Sequence, residues 1–280
     1  MNNKYYEKYL KKYSKHQKDN DNQEEQEEQA NQETIIPSII FIVPYRHRTQ
    51  HRKFFTNYIE IVMKDYPRYS WDYYFAHQVD ERPFNRGAMK NIGFLAIKQK
   101  YPMHYKDITF VFNDVDTLPC DKGIINYETQ QGYIKHFYGY EYTLGGIVSV
   151  KGSDYERING FPNFWGWGQE DNCLNIRALR NKLIIDRSTF FKSGDHSILQ
   201  LYDGLTKTIT RSNDEISKND NGFDGIRTIR QLNIEFVDKD IVVRHFDTPR
   251  KWDQENYKPI SILPNNNKRP GGLSNMFKRK

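Results

Sequence analysis

Two rhythms of apolar and polar positions alternate along the middle of this chain. Ser38–Val43 is a short run rich in Ile and Val, the pattern of a strand buried on both faces. Arg48–Asp65 follows, with Phe54, Phe55, Tyr58, Ile59, Val62 and Met63 at helical spacing. Tyr73–Ala76 reads as a second strand. Arg86–Lys100 reads as a second helix with Met89, Ile92, Gly93, Leu95 and Ala96 inward, and Asp107–Phe112 as a third strand. Strand–helix–strand–helix–strand predicts a parallel sheet with right-handed crossovers, a Rossmann-like α/β arrangement. Ligands of such sheets bind beyond the carboxyl ends of the strands. A further helix is predicted from Glu170 to Ala178, and the apolar run Ile241–Val243 reads as a late strand.

The rhythm stops at both ends. Tyr5, Tyr9 and Tyr13 recur among lysines, either as a weakly amphipathic helix or as a solvated tail, and Asp19–Glu33 is a Gln-, Glu- and Asn-rich linker. Residues 258–280 are rich in Asn, Pro and Lys. One folded domain is therefore expected over 35–257, between a charged tail at 1–34 and a basic, flexible tail at 258–280. The tails leave room for a protein partner.

Composition adds limits. Hydrophobic residues make up 37% and aromatics 15%, so a core rich in Tyr and Phe is expected. A net charge of +6 permits phosphate-bearing ligands or nucleic acid, but much of the excess sits in the termini. The aromatics are not interleaved with basic residues as stacking platforms require, so no nucleic-acid partner is expected. Cys120 and Cys173 form neither a disulfide framework nor a metal pattern. No stretch reaches the length of a membrane span, and no apolar segment follows the N-terminal basic run. The expectation is a soluble, cytoplasmic protein without an anchor.

Candidate chemistry is concentrated in Asn159–Asn172, N-G-F-P-N-F-W-G-W-G-Q-E-D-N. Alternating glycine excludes a regular helix or strand there, while tryptophan offers a rigid face to a ligand. Glu170 and Asp171 begin the predicted helix, where its dipole keeps an acid ionised; a tryptophan-anchored turn with solvated acids is the plainer reading. Pro44-Tyr45-Arg46-His47-Arg48 leaves the first strand with charges suited to a phosphate, or is an ordinary polar loop. Arg86 and Gly87 suit an anion at a helix start, where Asn85 is an ordinary cap. Asp114 and Asp116 follow a buried strand and point the same way if the chain stays extended. Such a pair suits Mg²⁺ or Mn²⁺ holding a diphosphate, against the alternative of an Asx turn. His196 and His245 are the histidines considered as further metal ligands.

Taken in order, V-P-Y-R-H-R, F-N-R-G, F-V-F-N-D-V-D-T-L-P and G-F-P-N-F-W-G-W-G-Q-E-D resemble the β-1,4-galactosyltransferase family, from about Ile39 to His196. Those are inverting, metal-dependent glycosyltransferases of the GT-A fold, so the resemblance implies a Rossmann-like mixed sheet flanked by helices. It implies a UDP-sugar donor, a glycan or glycoconjugate acceptor, and Mn²⁺ or Mg²⁺. Pro44, Tyr45, Arg46, Arg48, Phe84, Arg86, Asp114, Val115, Gly146 and Trp167 match donor-binding positions. Asp116 and His196 match metal ligands. Glu170, Asp171 and Asn172 match acceptor-binding positions, with Asp171 as the catalytic base. Thr143 stands where a vertebrate aromatic restricts the donor to galactose, and a smaller side chain leaves room for an N-acetyl group. Asn172 stands where many members have an acid, and Ser193 where some have a metal-binding Met. The expected reaction moves galactose or N-acetylgalactosamine to a sugar hydroxyl, giving a β-linkage. The alternatives are transfer from UDP-glucose or another UDP-sugar, or a non-catalytic sugar-binding module.

Overall fold

The computed structural model describes residues 35–201, 206–209, 217–251 and 258–261. The compact unit that carries the site begins at Pro37; the predicted tail at 1–34 and most of that at 258–280 lie outside the described residues. In chain order the elements are β1 (Ile39–Tyr45), α1 (Thr49–Val62), β2 (Trp71–Gln78), α2 (Arg86–Lys100), β3 (Thr109–Asn113), β4 (Thr117–Pro119), β5 (Tyr133–Gly139) and β6 (Ile147–Lys151). They continue with α3 (Gly152–Arg157), α4 (Glu170–Arg180), β7 (Ile184–Asp186), β8 (Phe191–Lys192), β9 (Ile198–Gln200), β10 (Thr206–Ile209), β11 (Arg230–Val237), β12 (Asp240–Asp247) and β13 (Lys258–Ser261). The last of these opens the stretch read as a C-terminal tail and pairs antiparallel with β10.

One nine-stranded sheet runs β11-β12-β2-β1-β3-β6-β5-β7, with β8 attached to β5. β1 lies between β2 and β3 and pairs parallel to both, and the parallel pairing is what the strand–helix alternation predicts. β6 runs antiparallel to β3 and β5, so the sheet is mixed. Every residue of β1 is buried, because alternate side chains serve opposite layers. Ile39, Phe41 and Val43 join Phe55, Ile59 and Val62 of α1 in one apolar cluster. Ile42 faces α2, where a Cβ on Gly93 would lie 2.3 Å from its Cγ2. Only glycine lets that helix sit so close to the strand.

The ends of three parallel strands then gather on one edge: Tyr45 runs into Arg46–Arg48, Gln78 into the loop leading to Arg86, and Asn113 into Asp114. β5 ends and β6 begins beside them, which adds Tyr140–Gly146 to the same edge. No helix among the described residues is long and apolar enough to cross a membrane.

Candidate active site

These loops enclose a cavity of about 550 Å³, a size suited to a small ligand. Of the residues expected at the site, Pro44, Arg46, Arg48, Phe84, Arg86, Asp114, Val115, Asp116, Thr143, Gly146, Trp167 and Asp171 all line it. Four do not. Tyr45 is 5% exposed and packs edge-on against Phe75 and His77 in the core. Glu170 is 2% exposed and turns to Arg86. Asn172 is half-buried on α4, away from the cavity lining.

His196 is the clearest departure. It is exposed in the turn before β9, and β9 runs antiparallel to β4 with Gln200 opposite Thr117 and Ile198 opposite Pro119. Leu201 therefore lies beside Asp116, donating its N–H to the Asp116 carbonyl at 2.7 Å, while His196 is carried to the other end of the ladder. Gln200 and Ser193 line the cavity in its place. His245 projects from β12, half-exposed, 3.5 Å from Asp247. Among the described residues no three His, Cys, Asp or Glu side chains form a metal-ligand group.

The D-x-D segment is a turn and not an extended strand end: Thr117 N–H donates to the Asp114 carbonyl at 3.2 Å. The two carboxylates consequently face different cations. Asp116 accepts from Arg48 at 2.9 Å and from the Thr117 hydroxyl at 3.1 Å. Asp114 accepts from Arg86 at 3.1 Å, and its other oxygen is buried without a hydrogen bond among the described residues, 3.9 Å from Lys90.

Arg86 is the hub. Asn85 caps α2 by accepting from Ala88 N–H at 2.9 Å, and Gln78 accepts from Asn85 N–H at 2.8 Å, so the helix start is fixed. Gly87 serves packing and not an anion, since a Cβ there would meet the Pro162 carbonyl at 2.1 Å. Arg86 then donates to Glu170 at 2.8 Å and to Asp171 at 2.9 Å, as well as to Asp114. Lys90, one turn further along α2, donates to the second oxygen of Asp171 at 3.3 Å.

This grouping separates the neighbouring acids. Burial pushes the Asp171 carboxyl up, but the Arg86 guanidinium and Lys90 ammonium outweigh it and hold it below the ordinary carboxylate range. Burial lifts Glu170 above that range, with Arg86 countering only part of the shift. The two adjacent carboxyls are thus driven apart in acidity, with Asp171 the more acidic of the pair. Gly145 makes room for it, because a Cβ there would lie 2.4 Å from Asp171 Oδ2.

The tryptophan loop is irregular, as its glycines require. Gly166 and Gly168 take φ of 81° and 112°. Trp165 is buried on Phe246 and donates its indole N–H to the Arg250 carbonyl, whereas Trp167 is 43% exposed at the cavity.

The opposite wall rests on His136, which sequence reasoning left unmarked. Its Nδ1 accepts from Arg187 at 3.1 Å, so Nε2–H is shared between the carbonyls of Tyr138 and Gly145 at 3.0 and 3.1 Å. Burial, and next the Arg187 charge, lower its pKa to about 4. An unfolded histidine titrates near 6.5, so between these values the unfolded chain binds a proton that the folded one refuses. Stability contributed by neutral His136 is present above pH 6.5 and is lost as pH falls through 4. The full loss is about 3 kcal/mol, from the pKa difference. Urea unfolding at pH 7, 5.5 and 4.5 should show this decline, flattened in His136→Gln; parallel profiles would contradict the assignment.

Comparison with known proteins bears on this site. A family described as "N-terminal region of glycosyl transferase group 7" matches residues 5–128, and one described as "N-terminal domain of galactosyltransferase" matches 130–198. Human β-1,4-galactosyltransferase 2 is 31% identical over 163 residues, which are 54% of this chain and 42% of that protein. Mouse β-1,4-galactosyltransferase 1 is 31% identical over 160 residues, 53% of this chain and 38% of that protein. The matches thus span less than half of these relatives. The catalytic domain of Drosophila β-1,4-galactosyltransferase 7, in complex with xylobiose, superposes with a TM-score of 0.59 at 18% identity, covering 77% of this chain and 96% of that one. A mutant of the same enzyme, in complex with manganese, UDP-Gal and xylobiose, gives a TM-score of 0.56 over the same shares. At that identity the likeness establishes the fold, which is GT-A.

Proposed function

The chain belongs to the β-1,4-galactosyltransferase family, and from that premise we propose that it moves a hexose from a UDP-sugar to a sugar hydroxyl, inverting the anomeric carbon. The donor sugar is galactose or N-acetylgalactosamine, and the acceptor is a glycan or glycoconjugate. The observation that carries this reading is one cavity with two carboxylates of separate duty, Asp171 and Asp116, the first held ionised by Arg86 and Lys90. Manganese, UDP-Gal and xylobiose bound to the Drosophila enzyme support the same classes of metal, donor and acceptor here.

Asp171 is the general base. Its carboxylate lines the cavity and stays ionised at neutral pH, so it can take the proton of an acceptor hydroxyl as the new bond forms. Arg46 and Arg48 line the donor side with fixed positive charge for the diphosphate. Asp116 suits a hard divalent cation: it offers carboxylate oxygen at the cavity wall, where Arg48 is its counter-ion. Among the described residues Asp116 is the carboxylate that would hold the ion, and diphosphate oxygens and water would complete its shell, as is usual for Mg²⁺ and Mn²⁺. The bound ion would supply charge that stabilises the departing diphosphate. Glu170, buried and bonded to Arg86 outside the cavity lining, is the counter-ion that holds Arg86 in place. Trp167, flanked by Gly166 and Gly168, is placed to fold over the donor and exclude water.

Thr143 lines the wall, 7% exposed, with its carbonyl held by Arg187 at 3.2 Å. A small side chain there favours admission of both galactose and N-acetylgalactosamine. Release of UDP from UDP-galactose, UDP-N-acetylgalactosamine and UDP-glucose, with and without Mn²⁺, tests the proposal. Metal-dependent release raised by a sugar acceptor is expected for the first two; no acceptor-stimulated release from any of them would refute it. A sugar-binding module without turnover has no use for a base held ionised beside a second cavity carboxylate.

A further inference from the structure

Lys90 touches neither donor nor acceptor in the reaction as described, yet it is a fully buried charge beside the base. It stands on the buried side of α2 between Met89 and Asn91 and is 1% exposed. Its ammonium lies 3.3 Å from Asp171 Oδ1, 3.9 Å from Asp114 Oδ1 and 4.3 Å from the centre of the Phe161 ring. An ammonium so far from water is tolerated only through its charge partners. Those partners need it. Asp114, Glu170 and Asp171 all bond to the one guanidinium of Arg86, so without Lys90 the group carries three acids against one cation.

We propose that Lys90 is a positioning residue for the base: it holds Oδ1 of Asp171 while Arg86 holds Oδ2, fixing the carboxylate plane with its remaining lone pairs open to the cavity. Loss of Lys90 leaves Arg86 shared among three carboxylates and Asp171 free to rotate about its last bond. The inference rests on Asp171 being the base.

Lys90→Met and Lys90→Gln remove the charge at similar length, and Lys90→Arg keeps it. Because Lys90 lies outside the cavity lining, kcat should fall roughly 10- to 100-fold in the first two while the donor KM stays within about twofold. Lys90→Arg should recover most of kcat. In an Asp171→Asn background, Lys90→Met should cause no further loss, since the two act as one unit. Should the methionine variant not fold, the glutamine variant carries the same comparison. Parental kcat in a charge-removing variant would overturn the inference, as would equal losses in the arginine and methionine variants or full additivity with Asp171→Asn. If the parent transfers no sugar from any UDP-sugar, the reading of the site falls and takes this inference with it; failure of the Lys90 variants alone leaves that reading standing.

Discussion

Asp171→Asn is expected to lower sugar transfer by about 10³-fold, within the range a positioned general base contributes. The substitution keeps the size of the side chain and an oxygen that can still accept from Arg86 or Lys90. It also removes one negative charge from a group in which three carboxylates face two cations, so the remaining charges balance and the fold should persist. The loss should therefore fall on the chemical step. Calorimetric binding of UDP should stay within about twofold, because an interaction made only in the transition state leaves ground-state binding untouched. Single-turnover transfer beside that titration decides the matter. Near-parental transfer would move the base elsewhere, and Glu170 would be a poor substitute, because it is 2% exposed and turned to Arg86 away from the cavity.

The second large effect is expected at Asp116. Asp116→Ala should reduce Mn²⁺-stimulated transfer by about 10³-fold, the several kcal/mol that a Lewis acid contributes to a departing diphosphate. The side chain is 15% exposed and, among the described residues, accepts from Arg48 and the neighbouring Thr117 hydroxyl, so its removal should cost the fold about 1 kcal/mol. Mn²⁺ titration of the folded variant by electron paramagnetic resonance, alone and with UDP, gives a readout independent of turnover. Parental Mn²⁺ affinity in the presence of UDP would place the ion on other residues.

Much of this arrangement was legible in the sequence because its signals are local. The apolar run of β1, the helical spacing of α1 and the acids directly after β3 each report on their own element. So does the W-G-W-G segment, whose glycines rule out regular structure and were found in left-handed conformations. Those local signals suffice for the parallel strand–helix alternation around β1 and for the arginine, acid and tryptophan turns at the cavity, whereas Thr143 and Gly146 rest on the family resemblance alone.

What escaped depends on pairs distant in sequence. His196 matches a metal-ligand position of the family pattern, and the antiparallel register of β4 and β9 places it away from Asp116 in this structure; no local rule reports register between strands so distant in sequence. Gly87 looked like an anion site until the Pro162 carbonyl was seen to occupy the space of its absent side chain. Glu170 and Asp171 are identical to a pattern reader; only the geometry of Arg86 and Lys90 separates the ionised acid from the buried one. Lys90 did leave a trace, as a charge four residues after Arg86 on the inward face of α2. His136 and Arg187 left none, being joined across β5 and the loop after β7.

The most direct test of the account is the anomeric configuration of the product. Incubation of the protein with UDP-galactose, Mn²⁺ and xylobiose, followed by proton NMR of the purified oligosaccharide, reports the newly formed linkage. A single displacement with Asp171 as base on one face and diphosphate leaving from the other predicts a β-linked product, with the large axial–axial coupling at its anomeric proton, and none from Asp171→Asn above about one part in 10³. An α-linked product, or a β-linked product formed equally well by the Asp171 variant, would contradict it.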